Sequence, residues 1–575
     1  IQNSMDFNKL ADIYEELENT ASGNKIREIL AEFFKEISKD DIKIISYLTL
    51  GQIASDYQSV VLNMAEKMAL KSISIAGGAD SSRVKRILKE TGDAGLVAEK
   101  IMKTKPMTLV PVGKLTLDEA FKGLHKIAET SGAKSQDLKI NTLAAMLQKC
   151  NGNSAKYLVR VALGTLRMGV AEMAVLDALA MAFTNDKKNK KILETAYNIC
   201  PDVGIIAETL AKKGLKAIEK IEIHVGIPIR MMLGQRVKSL EEAQEKIPGE
   251  VTVEAKYDGE RIQAHKDKDG KIHLFSRRLD NITDQFPDLV EYLLKAIPEK
   301  EFIVEGEVIA VDQEGKPQPF QVLMQRRRKH DIEEYVKKIP INFKVFELLY
   351  LNGKPYLNEP YYKRSEKIES ILHKNKEVQA TERILTDEVN EIDQFFKKML
   401  KSGYEGIFIK SRAEDSVYQA GVRGWNWIKW KKEYVQDMID TLDLVVVGAF
   451  YGRGKRSGVY GALLCAVYND KEDQFETFCK LGTGLTDEVL EELPKKLKKH
   501  ELKKPPARLI FKKEMDADVW FSPHVVVEVF GAEVTKSPFH TAASGLALRF
   551  PRFLRFRDNK KAEQATTSDE VKSML

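Results

Sequence analysis

The interval at which apolar residues recur changes partway along the chain, from steps of three and four to steps of two, so helical and sheet layers must occupy separate stretches. Phe7, Leu10, Tyr14 and Leu17, then Ile26, Ile29, Leu30, Phe33 and Ile37, trace one-sided stripes of helices that pack on one another. The pattern breaks at His224-Val-Gly-Ile-Pro-Ile. From Val251, VTVEA, RIQAHK and IHLFSRR read as strands, the last two joined by a tight turn at Asp269-Gly270. FIVEGEVIAV and INFKVFELLY, closed by Asn352-Gly353, continue the sheet, while EKIESILHK and EIDQFFKKMLKS are helical. After Lys432, DLVVVGAF, GALLCAVY, FETFCKLG and VVVEVFG are short strands with glycine turns, interrupted by the lysine-rich, helical LTDEVLEELPKKLKKHELKKPP. Three domains follow: all-α over residues 5–225, α+β over 226–433, and a small closed barrel of the OB-fold kind over 434–575.

Composition supports that division and removes several classes. The 575 residues are 43% hydrophobic and 31% charged, which suits buried cores under a solvated surface and excludes disordered, collagen-like and disulfide-scaffold chains. Lys and Arg number 91 against 85 Asp and Glu, and the resulting +6 permits a nucleic-acid partner without demanding one. No run reaches the roughly 20 apolar residues of a membrane span. With no charged-then-apolar leader, a soluble protein that stays inside the cell is expected, cytoplasmic or, in a eukaryote, nuclear; Ile1 to Ser4, ahead of Met5, read as a cloning remnant. Cys150, Cys200, Cys465 and Cys479 form no C-x-x-C pair and the nine histidines no ligand spacing, which points to reduced thiols and away from a structural zinc.

Two stretches carry chemistry. YLVRVALGTLRMGVAEMAVLDALA, from Tyr157, sets Gly164, Arg167 and Gly169 after a helical run, where glycines either end a helix or let backbone approach a phosphate. GRGKRSG, from Gly452, misses the dinucleotide spacing and reads as a basic turn, and no P-loop is present. The more informative stretch is EAKYDGER, residues 254–261. A lysine leaving a strand into an Asp-Gly turn presents its amine at the mouth of a sheet, with Arg261 returning on the next strand. By composition alone, K-x-D-G-x-R arises in about one in a hundred chains of this length.

Further motifs follow in order: KYDGER at Lys256, FSRR at Phe275, VEGEV at Val304, FKVFELLYLNG at Phe343, YEGIFIK at Tyr404, GWNWIKWKK at Gly424 and LALRFPRFLRFRDNK at Leu546. With these the sequence resembles the covalent nucleotidyltransferases, specifically the ATP-dependent DNA ligases of archaeal and eukaryotic type, from Met5 onward. The resemblance implies a multidomain enzyme: an all-α DNA-binding domain, an α+β nucleotidyltransferase (adenylation) domain and a β-barrel OB-fold domain. It implies a monomer that uses ATP and Mg²⁺ to seal nicked double-stranded DNA in replication, repair and recombination.

An amine attacks phosphorus only when neutral, and a free lysine with pKa near 10.4 is about 99.9% protonated at pH 7. Arg261, Lys429 and Lys431, with a bound Mg²⁺, are the expected means of disfavouring the ammonium form of Lys256. By resemblance, Lys256 attacks the α-phosphate of ATP and holds AMP as a phosphoramidate. The AMP passes to the 5′-phosphate at a nick, and the 3′-hydroxyl then attacks that phosphate. Glu307 and Glu405, each expected on a strand edge, are oxygen ligands suited to Mg²⁺. Phe346 offers a face for adenine, and Glu254 an acceptor for its amino group. The resemblance assigns these roles, which the residue types only permit, and it likewise implies Arg277 and Arg423 on ribose or phosphate oxygens, Lys429 and Lys431 on the α-phosphate, and Arg557 and Lys560 on the leaving pyrophosphate. The last two lie on the barrel, so the barrel must move, and the resemblance implies that it closes over ATP and then turns another face to DNA. The helical domain is expected in the minor groove through phosphate contacts, with Gly164, Arg167 and Gly169 approaching the DNA. A sliding-clamp peptide is not evident: KPMTLVPVGKLTL, from Lys105, lacks the glutamine and the aromatic pair.

Taken singly, Glu307 reads better as an ordinary solvent-facing strand residue and Phe346 as an ordinary core aromatic, and only their company with Lys256 in the motif order reverses this. Arg549, Arg552, Arg555 and Arg557, alternating with Phe550, Phe553 and Phe556, also suit a basic strand edge. An RNA ligase or capping enzyme shares the K-x-D-G core, but the long helical domain and the RFPRF ending argue for DNA. A non-catalytic DNA-binding scaffold would not fill every catalytic position.

Overall fold

Up to Ile218 the named elements are all helices; the computed structural model describes residues 4–20, 22–104, 113–166, 168–327, 332–431, 441–452, 460–531 and 533–575. These helices begin where a side chain takes up the free amides of a first turn. Asp6 accepts from Asn8, Asp93 from Gly95 and Leu96, and Thr116 forms a reciprocal box with Glu119. Phe7, Leu10, Tyr14, Leu17, Ile26, Ile29, Leu30 and Phe33 are buried in one continuous core. Ile37 is only partly covered, because the chain leaves helical geometry there.

The central domain follows as β1 (Leu233–Arg236), β2 (Val251–Lys256), β3 (Glu260–Lys266), β4 (Ile272–Phe275), β5 (Phe302–Ala310), β6 (Ile341–Leu351), β7 (Lys354–Pro355), β8 (Val378–Ala380), β9 (Arg383–Thr386), β10 (Gly406–Ser411) and β11 (Arg423–Lys431). These form two sheets, not one. The first runs β1-β11-β10-β2-β9; the second runs β4-β3-β5-β6-β7 with β8 against β6. β2 and β3, which read as neighbours in sequence, therefore lie in different sheets, and the KYDG turn crosses from one to the other. At Asn352-Gly353 both residues take positive φ, 46° and 88°, the geometry of a two-residue hairpin that Asn and Gly adopt at low cost.

Each sheet turns its apolar face to helices. Val253, Ile407, Ile409, Ile428 and Trp430 pack on Ile392, Phe395, Phe396 and Met399 of the helix Val389–Lys401. Ile262, Ala264, Val304, Val308 and Val345 pack with Leu289, Leu293, Ile368 and Ile371 from helices Pro287–Ala296 and Tyr361–Ile371. The opposite faces are left to line a cleft.

The C-terminal domain contains β12 (Leu442–Tyr451), β13 (Tyr460–Asn469), β14 (Gln474–Leu481), β15 (Glu501–Leu502), β16 (Leu509–Ile510), β17 (Val519–Phe521), β18 (Val526–Phe530), β19 (Glu533–Lys536), β20 (Leu546–Arg549) and β21 (Arg552–Phe556). β12 pairs with β13 on one edge and with β17 and β18 on the other, β18 pairs with β21, and a bridge from Thr483 to Arg552 brings β21 back beside the end of β14. The sheet is thus curled on itself. The lysine-rich stretch carries the helix Asp487–Leu497, with Pro494 inside it, and the chain ends in the helix Ser568–Ser573.

This domain touches both others. Lys561 pairs with Asp56, and Arg27 with Asp473 at 2.8 Å, across to the helical domain. Arg423 pairs with Glu570 at 2.7 Å, and Arg278 donates to the Asp558 carbonyl at 2.7 Å, across to the central domain. Among the described residues, no helix is long and apolar enough to cross a membrane.

Candidate active site

Strand alternation builds the site. On the open face of the first sheet stand Glu254 and Lys256 from β2, Phe408 and Lys410 from β10, and Trp427, Lys429 and Lys431 from β11. The register sets Gly406 between Lys256 and Lys431, and Phe408 between Glu254 and Lys429. The second sheet contributes Arg261 from β3, directly opposite Glu307 on β5. Between them lies a cavity of about 260 Å³ lined by Glu254, Lys256, Arg261, Arg277, Glu307, Phe346, Glu405, Arg423, Lys429 and Lys431, and roofed from the C-terminal domain by Arg557 and Lys560. Every residue singled out in the KYDGER to RDNK motifs as a nucleotide or metal contact therefore meets here.

Gly259 explains how the KYDG turn reaches that position. A Cβ there would sit 2.1 Å from the Val308 carbonyl oxygen, so only a hydrogen lets the turn lie on β5.

The electrostatics differ from a ring of cations around the amine. The Lys256 amine contacts the Glu405 carboxylate, whose other oxygen contacts Lys431. Burial would raise the Glu405 carboxyl, but Lys256 and Lys431 outweigh it and hold it well below the usual carboxylate range. Arg261 points elsewhere: it donates to the Met232 carbonyl at 2.7 Å and to Glu305 at 2.6 Å, and its guanidinium lies 5.4 Å from the rings of both Phe346 and Trp427. Converging ammonium groups repel, and a carboxylate between them removes that repulsion. Lys429 faces Glu570 at 3.8 Å.

Neither acid stands on a strand edge. Glu307 is in the middle of β5, which is paired on both sides, and Glu405 immediately precedes β10. Burial pushes the Glu307 carboxyl up to about 8, with Lys256 and Arg261 opposing and Glu405 and Asp258 reinforcing. Burial, with Asp443 opposing and Arg557, Arg261 and Arg423 adding like charge, brings Arg277 down to about 10.

Several site residues escape a reading by motif. Lys410, the last residue of YEGIFIK, is sealed from solvent beside Glu254 at 2.6 Å, and Tyr361 donates to the same carboxylate. Its ammonium lies 4.3 Å from the Trp427 ring and 5.0 Å from that of Phe346. The signal for Lys410 is its place two residues after Phe408 on one strand face. Tyr361, Asp443, Glu528 and Glu570 lie outside the motifs, and only tertiary contact reveals them.

Gly164 and Gly169 are not at the cavity. They follow the helix Gly152–Ala162 with φ of 63° and 67°, and a Cβ on Gly169 would meet Ala507 of the C-terminal domain at 3.2 Å. Arg167, residues 105–112 of KPMTLVPVGKLTL and residues 453–458 of the basic turn lie outside the described residues.

Comparison with known proteins accounts for this organisation. Residues 6–180 match the family model described as DNA ligase N terminus, 231–431 the ATP dependent DNA ligase domain, and 456–560 the ATP dependent DNA ligase C terminal region. The chain is 44% identical over 586 residues to DNA ligase 2 of Thermofilum pendens, covering 99% of this chain and 97% of that protein. It is 42% identical over 587 residues to the DNA ligase of Saccharolobus solfataricus, with coverages of 99% and 97%. To DNA ligase 1 of Methanosarcina mazei it is 41% identical over 582 residues, with 99% of each covered. A helical domain, a two-sheet domain with a lysine at the mouth of its cleft, and a curled sheet roofing that cleft are thus parts of one enzyme, and the chain belongs to the ATP-dependent DNA ligases, which seal nicks in duplex DNA.

Proposed function

We propose that Lys256 is the nucleophile through which this ligase takes AMP from ATP. One observation carries the reading: Lys256 stands on a sheet face whose neighbours are Glu405 and Lys431, inside a cavity lined on one side by Arg261 and Arg277 and roofed by Arg557 and Lys560. Having given its extra proton to solvent, the neutral amine attacks the α-phosphorus, the bond to the β-phosphate oxygen breaks, pyrophosphate leaves, and the nitrogen sheds a second proton to become the phosphoramidate N–H. Glu405 holds the amine and Lys431 in register, so the nucleophile is positioned before the triphosphate arrives. Lys429 and Lys431 then face the α-phosphate, while Arg557 and Lys560 face the leaving group, where charge develops. AMP next moves to the 5′-phosphate at the nick, and the 3′-hydroxyl displaces it.

Adenine is read by the far end of the cleft. Its amino group donates to Glu254 and its ring nitrogen accepts from Lys410, whereas guanine presents an oxygen and an N–H in the reverse order. Phe346 supplies an apolar face, and Arg277 and Arg423 take ribose or phosphate oxygens.

Mg²⁺ fits the donor set. No cluster of three or more His, Cys, Asp or Glu side chains able to hold a metal exists among the described residues, and Mg²⁺ characteristically takes one or two carboxylates together with substrate phosphates. Glu307 and Glu405 would hold it, and burial, reinforced by the charges of Glu405 and Asp258, makes Glu307 a reluctant acid. When bound, the cation offsets charge on the phosphates.

We assign residues 5–225 to DNA binding, 226–433 to nucleotidyl transfer and 434–575 to an OB-fold, the last supported by the curled sheet of β12–β18 and β21, beside which β19 and β20 form a separate hairpin. The positive-φ turns at Gly164 and Gly169 suit close approach to DNA phosphates. Ala507 covers Gly169, so the OB-fold must leave that turn when DNA binds. The protein acts as a monomer.

ATP labelled at the α-phosphate tests the central assignment. The label should join the wild-type protein, be absent from Lys256→Ala, and chase onto the 5′-phosphate of nicked DNA. A labelled Lys256→Ala protein would refute it.

A further inference from the structure

β12, β18 and β21 lie side by side in the roof of the cavity, and their register sets Asp443 directly opposite Glu528, and Glu528 directly opposite Arg555. Two carboxylates facing each other on adjacent strands destabilise a sheet. The pair makes sense through the cations it holds. Arg557 reaches both acids, at 3.0 Å to Asp443 and 3.5 Å to Glu528, Lys560 contacts Asp443, and Arg555 contacts Glu528.

Asp443 itself cannot follow its partners. Its N–H donates to the Thr566 hydroxyl at 3.0 Å, and its carbonyl accepts from the Thr566 N–H at 2.8 Å, so its backbone is pinned on both sides. The long side chains of Arg557 and Lys560 are thereby fixed to a rigid strand, which removes rotamer freedom they would otherwise lose on meeting a ligand. Burial draws the Lys560 ammonium well below its ordinary range, and Asp443 is the carboxylate that opposes this. Asp443 also offsets Arg277 on the central domain, so the cluster spans the two walls of the cavity.

We propose that Asp443 is a positioning residue for the first chemical step, holding Arg557 and Lys560 against the nucleotide so that they meet the departing pyrophosphate. This rests on the reading of Arg557 and Lys560 given above. The other possibility is a plain ion pair that stabilises the C-terminal domain, and the two separate by which reaction step depends on Asp443.

The test compares enzyme adenylation by ATP with single-turnover sealing of a nick that already carries AMP on its 5′-phosphate. Full-length Asp443→Asn should lower kcat for adenylation by about tenfold with little change in the KM for ATP, and leave sealing of the adenylated nick within about twofold. Asp443→Glu, which keeps the charge on a longer arm, should fall between. Thermal melts run alongside, and Asp443→Glu carries the test should Asp443→Asn not fold. Equal losses in both steps, or wild-type adenylation in both variants, overturn the proposal. Arg557→Ala and Lys560→Ala serve as references: normal adenylation in these two overturns the underlying reading, whereas their failure beside a normal Asp443→Asn overturns only the role of Asp443.

Discussion

Lys410 and Glu254 form an ion pair at 2.6 Å with side chains 1% and 2% exposed, at the closed end of the cleft. Burial raises the Glu254 carboxyl and lowers the Lys410 ammonium, and each is the nearest charge that opposes the other's shift. Lys410→Met should therefore strand a buried carboxylate and cost about 3–5 kcal/mol, whereas Lys410→Met combined with Glu254→Gln should recover much of that loss. Urea titration at neutral pH measures both. A double variant no better than the single would mean that the two charges are not coupled.

Gly259→Ala tests the approach of the KYDG turn to β5. The added methyl would meet the Val308 carbonyl and the Glu307 side chain, so the turn must lift away from the second sheet. Overpacking of this kind costs about 1–3 kcal/mol. The larger effect falls on chemistry, since Lys256 and Arg261 flank the turn. We expect a folded protein, by circular dichroism, that incorporates little or no AMP.

Glu307 gives the pH dependence a definite sign. Its folded carboxyl lies at about 8, above the ordinary value of an unfolded glutamate, so the folded state binds the extra proton between those limits. The stability it contributes is fully present below the unfolded pKa and is lost as pH rises through about 8. Melting temperatures of wild type and Glu307→Gln in chelator should converge near pH 5 and diverge toward pH 9, with the variant the more stable. Adding Mg²⁺ at pH 9 should raise the melting temperature of wild type more than that of the variant. Parallel profiles would place the titration elsewhere.

The C-terminal domain is held in place by charges that reach both neighbours. Lys561 pairs with Asp56 and lies 4.0 Å from Glu172, while Glu570 pairs with Arg423. Lys561→Ala combined with Glu570→Ala should free this domain, increasing the radius of gyration by small-angle scattering without loss of secondary structure. Each single change should give a smaller increase. An unchanged radius would mean that apolar contacts such as that of Ala507 hold the arrangement alone.

Local patterning makes the three domains legible, because a helix and a half-buried strand repeat their apolar residues at different intervals. The alternation of Glu254 and Lys256 with Val253 and Ala255 is enough to assign the two faces of β2, and the buried members do pack on the helix Val389–Lys401. The same period does not say which strand is the neighbour. RIQAHK follows VTVEAK after a short turn, yet the two strands enter different sheets, and this division is what opens the cleft. The central place of Glu307 is hidden for the same reason, since whether a strand is central or at an edge depends on pairing partners far away in sequence.

The order of residues by itself determined the family and the helical and sheet domains, and singled out the lysine proposed as nucleophile, because each rests on residue identity and short-range period. Tertiary structure alone decided which charges meet. Glu405 stands between Lys256 and Lys431, Lys410 seals Glu254, and Asp443 anchors two cations that arrive more than a hundred residues later. An ion pair depends on distances of a few ångströms, and those are set by how separate sheets and domains close on one another.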